Sequence, residues 1–96
     1  MLKHIVMFRM KDVNSSHSIR RLKDTLDQLK NKIPEVKALE TGINVSKSPS
    51  AFDLVLYSEF KHEEDLETYR EHPDHKEVLK FIKEHVAEVK VVDYLI

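Results

Sequence analysis

The spacing of apolar residues along the chain changes from a period of two to a period near 3.6 and back. At the N-terminus, one parity carries Leu2, His4, Val6, Phe8 and Met10, and the other carries Lys3, Ile5, Met7, Arg9 and Lys11. This alternation is typical of a β-strand. Similar strand-like segments recur further along, so the sequence predicts four strands over about residues 2–11, 36–46, 51–60 and 87–96.

Two other segments space their apolar residues by three and four, as one face of a helix requires. The first carries Ile19, Leu22, Leu26, Leu29 and Ile33. It follows a loop, Asn14–Ser16, with side chains suited to an N-cap, and Pro34 is expected to end it near Ile33. The second begins with three acidic residues, carries Leu66 and Tyr69, and is broken by Pro73. Proline favours the first position of a helix, so a further helical segment is expected from there through Val78, Leu79, Ile82 and Val86.

The resulting order is β-α-β-β-α-β with the second helix broken, which is the ferredoxin-like arrangement. It predicts an α+β fold in which a four-stranded antiparallel sheet carries its helices on one face. A chain of 96 residues is long enough for one modest hydrophobic core. We therefore expect a single domain over residues 1–96.

Several strands are apolar on both parities, although helices can cover only one face of the sheet. The pairs that share a strand but point to opposite faces include Ile5 and Met7 against Val6 and Phe8, Val55 and Tyr57 against Leu54 and Leu56, and Val92, Tyr94 and Ile96 against Val91 and Leu95. A face in contact with water would alternate to polar residues. This pattern predicts a two-fold homodimer in which two sheets pack face to face as a dimeric α+β barrel.

Composition excludes several classes of function. There is no cysteine, which rules out disulfides, thiolate metal sites and a cysteine nucleophile, and one glycine rules out a glycine-rich phosphate loop. A net charge of −1 gives no reason to expect a nucleic-acid or membrane partner. The N-terminus does not resemble a signal peptide, so we expect a cytoplasmic protein.

Six histidines offer the main candidates for chemistry, and three stand out: His4, His72 and His75. His72 precedes Pro73 and suits an N-cap with its ring in water. His75 lies on the helical stripe that faces the sheet, where it is either a satisfied core residue or a site residue, and the same alternatives hold for His4. His72 and His75 alone make a weak metal motif, so we expect no metal and no cofactor, and folding without a transition metal. A loosely held magnesium or sodium ion on main-chain oxygens would leave no trace in the sequence.

Five short motifs occur in a characteristic order along the chain: residues 3–6 (KHIV), 32–36 (KIPEV), Gly42, 69–75 (YREHPDH) and 92–94 (VDY). In this order and spacing they resemble the stress-responsive A/B barrel (Dabb) family over essentially the whole length. The resemblance implies the dimeric α+β barrel, which agrees with the element order indicated by the hydrophobic pattern.

The resemblance also implies a site. In the family's plant polyketide cyclase, which makes olivetolic acid by an aldol condensation, a histidine and a tyrosine matching His75 and Tyr69 carry the chemistry, and a first-strand histidine matching His4 lines the pocket. It therefore predicts His75 as a general base, Tyr69 as the donor that orients a carbonyl group, and His4 as a substrate-binding residue. These three residues would converge between sheet and helix.

Two classes of function stay open at this point. One is a small lyase or cyclase that acts on a carbonyl compound, and the other is a non-catalytic, stress-associated or ligand-binding homodimer. A related dimeric-barrel family contains small oxygenases, which adds a third interpretation by fold analogy alone. An enzyme requires His75 within hydrogen-bond reach of an acidic C–H of the substrate, whereas a binding protein requires only the cavity.

Overall fold

The order of elements matches the sequence prediction, with the second helix divided in two. The computed structural model describes residues 1–12 and 15–96. Its elements are β1 (Leu2–Met10), α1 (Ser16–Lys32), β2 (Ala38–Ile43), β3 (Leu54–Phe60), α2 (Glu63–Glu71), α3 (Pro73–His85) and β4 (Val86–Leu95). None of the helices in the described ranges is both long and apolar enough to cross a membrane.

The four strands form one antiparallel sheet in the order β2-β3-β1-β4. β1 therefore lies inside the sheet, and Val6 pairs with Leu56 of β3 on one side and with Val91 of β4 on the other. Each helical connection leaves the sheet and returns to a strand two places away, as in the ferredoxin-like fold. The predicted fold class is confirmed.

The core lies between the helix-facing side of the sheet and the apolar stripes of the helices. On β1 and β3 the alternate residues on this side are buried, and the α1 stripe contributes Leu22, Leu26 and Leu29 at 0–2% exposure. Because side chains of a strand alternate between faces, the buried parity of β1 also carries His4, which is 6% exposed. The sheet thus places one histidine within an apolar layer.

The strands of the β2–β3 hairpin are shorter than the sequence predicts. They span Ala38–Ile43 and Leu54–Phe60, and just beyond them the N–H of Asn44 still donates to the carbonyl of Asp53 (2.9 Å). The backbone N–H of Asp53 donates to the carbonyl of Phe8 (2.8 Å), and its carboxylate accepts from the N–H of Met10 (2.7 Å). Asp53 therefore ties the loop to the end of β1.

Three local predictions at the helix ends need correction. Ser15 occupies the N-cap of α1, but its side chain makes no capping hydrogen bond, and Asn14 lies outside the described residues. Ser16, predicted as the last residue of the loop, is the first residue of α1. Val86, assigned above to the helical stripe, is the first residue of β4, although its N–H still donates to the carbonyl of Ile82 in α3.

The face of the sheet away from the helices is partly apolar and open. Met7, Val55, Val92, Tyr94 and Ile96 on this face are between 37% and 82% exposed. Lys3 and Glu59 form an ion pair (2.9 Å) on the same face, and the Tyr57 hydroxyl donates to Glu59 (2.5 Å). The expected second apolar face is therefore present, and it also carries a second polar cluster, in which Glu88 pairs with Arg9 and Lys90.

Candidate functional site

His4 enters the site from the middle of the sheet. β1 pairs it with Asp93 of β4, and its Nδ1 is hydrogen-bonded to Asp93 Oδ1. The ring also lies edge-on to the rings of Phe60 and Tyr69, with centroids 6.3 Å away in both cases. The strand and these two aromatic rings hold the imidazole in one orientation.

Tyr69 lies near the end of α2 and is completely buried. Its ring packs edge-on against Phe60 with a centroid distance of 5.1 Å. Within the described residues its hydroxyl oxygen has no hydrogen-bond partner. Burial raises the pKa of this hydroxyl above its ordinary value, so the group stays protonated and can donate a hydrogen bond near neutral pH.

The turn at His72 places His75 beside Tyr69. α2 ends at Glu71, and His72 serves both as the C-cap of α2 and as the N-cap of α3. The His72 Nδ1 accepts from the N–H of Asp74 (3.1 Å), which confirms the N-cap prediction, although the side chain is only 28% exposed. Pro73 then begins α3, and His75 falls in the first turn with its ring centroid 4.5 Å from that of Tyr69.

His75 is a half-buried histidine that favours its neutral form. Burial lowers the pKa of its ring below the ordinary value of 6.5, an interaction with the backbone of Arg70 opposes this, and positive charge on His4, Arg70 or His72 lowers the pKa further. The Nδ1 atom is buried and has no hydrogen-bond partner among the described residues. A neutral ring of this kind can accept a proton at pH 7.

These three residues line one cavity of about 180 Å³ between the sheet and the helices. Arg70 also lines it, and the remaining walls are aliphatic or aromatic: Val6, Phe8, Leu26, Leu56, Leu79, Ile82, Val89 and Val91. Leu79, expected on the buried stripe, is 44% exposed, and Val89 and Val91 of β4 are 42% and 49% exposed. The cavity is thus apolar with one polar end, and its open side lies between α3 and the β4 edge.

The structure brings together all three site residues that the sequence singled out, and adds Asp93 and Arg70. Arg70 Nη2 donates to Asp93 Oδ2 (3.1 Å), so Asp93 connects Arg70 to His4. The sequence shows Asp93 only as a charged residue on the same parity of β4 as Val91 and Leu95. Its position directly opposite His4 follows from the register between β1 and β4. That register is a property of the folded sheet.

In the described ranges no group of three or more histidine or carboxylate side chains is arranged to hold a metal ion.

Comparison with known proteins shows which family matches this chain. Residues 2–96 match the model of the Stress responsive A/B Barrel Domain (Dabb). A stress-response A/B barrel domain-containing protein of Arabidopsis thaliana is 34% identical over 86 residues, which cover 82% of this chain and 30% of that protein. The chain spans less than half the length of the curated relatives it matches.

Solved structures share the fold over nearly the whole chain. A dimeric protein of unknown function from Bacteroides fragilis, with a ferredoxin-like fold, is 28% identical with a TM-score of 0.87, covering 99% of this chain and 95% of its own. A hydroxynitrile lyase from Passiflora edulis is 23% identical with a TM-score of 0.86, covering 99% of this chain and 92% of its own. At this identity the second similarity concerns the fold alone.

The unpartnered hydroxyl of Tyr69 yields a prediction about stability. A buried polar group without a hydrogen bond destabilises the folded state by about 1–3 kcal/mol. Replacing Tyr69 with phenylalanine keeps the ring against Phe60 and removes only that group. We therefore expect Tyr69→Phe to raise the free energy of unfolding by about 1 kcal/mol, measured by chemical denaturation.

Tyr57→Phe is the matched control, because the Tyr57 hydroxyl does donate to Glu59. This variant should lose about 0.5–1.5 kcal/mol of stability. Equal destabilisation by both substitutions would show that the Tyr69 hydroxyl has a partner in solution.

Proposed function

The chain belongs to the stress-responsive A/B barrel domain family, and we propose that its cavity binds a small carbonyl compound on which His75 and Tyr69 act as a lyase or cyclase pair. One observation carries the proposal. Two buried polar atoms without hydrogen-bond partners among the described residues, Tyr69 Oη and His75 Nδ1, belong to adjacent residues of the same apolar cavity. A ligand in this cavity could supply the hydrogen-bond partners that these two atoms lack.

The reaction begins with proton transfer from carbon to His75. The neutral ring removes a proton from the carbon next to the carbonyl, and the electron pair moves onto the carbonyl oxygen. Tyr69 donates a hydrogen bond to that oxygen, where negative charge builds. The enolate then attacks a second carbonyl carbon, which is the cyclase reaction, or the same steps in reverse cleave a carbon–carbon bond. His75 returns its proton to the oxygen of the attacked carbonyl or to carbon.

His4 orients the substrate from the sheet side. Its ring projects from the helix-facing side of β1 and lies 6.3 Å from that of Tyr69, so a ligand in the cavity meets His4 and Tyr69 at one end. The aliphatic walls exclude water and hold the rest of the molecule. A cavity of about 180 Å³ restricts the substrate to a small compound.

The comparison with the Passiflora edulis enzyme supports the choice of substrates for a first test. That protein is a hydroxynitrile lyase on the same fold, and cleavage of a hydroxynitrile also breaks a bond to a carbon that becomes a carbonyl. The similarity of 23% carries no residue roles to this chain. Hydroxynitriles therefore belong in the substrate panel beside β-ketoacyl compounds and small β-dicarbonyls.

We expect turnover of at least one compound in this panel, and loss of that activity in His75→Ala and Tyr69→Phe. Each role of this kind typically contributes about 10²–10⁴-fold, so kcat/KM should fall by that order. His62→Ala and Tyr57→Phe are matched controls, since His62 lies exposed at the start of α2 and Tyr57 lies on the other face of the sheet. Full activity in both site variants would contradict the assignment.

The alternative function is a ligand-binding homodimer without catalysis, and the same cavity supports it. In that case members of the panel bind without turnover, and Tyr69→Phe weakens binding while no product forms. Calorimetry on wild-type protein, followed by product analysis, separates the two functions. Either function is proposed for a cytoplasmic protein, as the sequence predicts.

The lowered pKa of His75 gives the catalytic function a pH signature. A general base must be unprotonated, and burial favours that form of His75. kcat/KM should therefore be constant near pH 7 and fall as the pH drops through an apparent pKa below 6.5. An acidic limb centred above 6.5 would show that a different group, or a protonated His75, controls the reaction.

We also propose that the open face of the sheet is a homodimer interface, supported by its exposed apolar residues and by the dimeric Bacteroides fragilis protein. Sedimentation at micromolar concentration should give a dimer. Val92→Lys, at a position 57% exposed on that face, should shift the equilibrium towards monomer. Gln28→Lys, on α1 in the helix layer, should not. A wild-type monomer would overturn the interface.

A further inference from the structure

A row of hydrogen-bonded side chains runs from the protein surface to the cavity. Arg70, 41% exposed, donates from Nη2 to Asp93 Oδ2 (3.1 Å) and from Nη1 to Glu67 (3.4 Å). The other carboxylate oxygen of Asp93 bonds Nδ1 of His4, whose side chain is 7% exposed. The two oxygens of Asp93 are thus divided between a surface cation and a buried ring.

This arrangement decides which nitrogen of His4 carries the proton. An ionised carboxylate can only accept hydrogen bonds, so the Nδ1 atom facing Asp93 must be the donor. In the neutral ring Nε2 then has a free lone pair. His4 lines the cavity, so Nε2 is the nitrogen left for a ligand, and it acts as an acceptor.

We propose that Asp93 is a positioning residue for His4, that Arg70 holds the Asp93 carboxylate in place, and that the acceptor Nε2 selects ligands with a hydroxyl or enol group. The choice of ligand rests on the proposed function, in which Tyr69 donates to the carbonyl oxygen of the same molecule. The Tyr69 donor and the His4 acceptor together match the enol form of a β-dicarbonyl, which has one carbonyl oxygen and one enol hydroxyl. The substrate class thereby narrows from carbonyl compounds to enolisable β-dicarbonyls.

The first experiment measures the tautomer of His4 directly, without any ligand. Long-range ¹H–¹⁵N spectra of the imidazole rings, recorded above pH 7, should show His4 with its proton on Nδ1. In Asp93→Asn the carboxamide can donate as well as accept, so the share of the Nε2–H form should rise by roughly tenfold, as expected for loss of a charge-assisted hydrogen bond. Arg70→Gln should cause a smaller shift in the same direction, and it provides a second test should Asp93→Asn fail to fold.

Glu88→Gln is the matched control for Asp93→Asn, because both variants replace a carboxylate on β4 with a carboxamide. It removes one carboxylate from β4, but Glu88 pairs with Arg9 on the open face of the sheet and does not line the cavity. Its His4 spectrum should equal that of the wild type. An Nε2–H tautomer in the wild type, or an unchanged tautomer in both Asp93→Asn and Arg70→Gln, would overturn the positioning role.

The second experiment tests the ligand preference with a pair of small diketones. Pentane-2,4-dione can form the conjugated enol, and 3,3-dimethylpentane-2,4-dione cannot. Wild-type protein should bind the first roughly tenfold more tightly, and Asp93→Asn should lose most of that difference. Equal binding of both would overturn the enol preference. If the tautomer is as expected but neither diketone binds, the proposed function fails on this substrate class while the positioning role of Asp93 stands.

Discussion

The burial of one face of β1 is the constraint on which the rest of the structure depends. β1 has a partner strand on each side, so its backbone hydrogen bonds are made within the sheet and its helix-facing side chains must be covered. Leu2, Val6, Phe8 and Met10 on this face are all between 2% and 6% exposed. The helices dock on this face because their packing removes these apolar side chains from water. His4 lies in the same row, so the strand that organises the core also carries a polar group into it.

A polar group inside an apolar layer needs a hydrogen-bond partner. The three site residues differ in whether they have one. His4 is satisfied by Asp93 on the neighbouring strand, which reaches Arg70 at the surface. Tyr69 Oη and His75 Nδ1 are left without partners among the described residues. Each unpartnered group destabilises the fold by about 1–3 kcal/mol, a sacrifice of stability that is common at functional sites. The contrast separates His4, whose ring is oriented by a carboxylate, from Tyr69 and His75, whose buried polar atoms have no partner among the described residues.

The two faces of the sheet have different proposed roles, a ligand site on one side and a dimer interface on the other. The helix side encloses the cavity and the polar groups at its end, and the open side presents exposed apolar residues with the cluster of Lys3, Tyr57 and Glu59. β4 belongs to both, since Val91 lines the cavity and Val92 lies on the open face. β1 and β3 do the same, since Val6 and Leu56 line the cavity while Met7 and Val55 lie on the open face. The proposed dimer and the proposed site are therefore neighbours across a single layer of backbone.

The sequence by itself determined the order of the elements, the buried parity of the strands and the break at Pro73, because periodicity and proline geometry are local properties. It also singled out His4, Tyr69 and His75, through strand parity, helical spacing and family motifs. Tertiary structure alone decided that Asp93 faces His4, since these two residues are 89 positions apart in the chain and meet only through the register between β1 and β4. It likewise decided that Asp53, which precedes β3, bonds the end of β1 through its N–H and its carboxylate. The hydrophobic pattern sets which face of each strand is buried, but no turn joins β1 to β4, so their exact pairing is set only when the whole sheet forms.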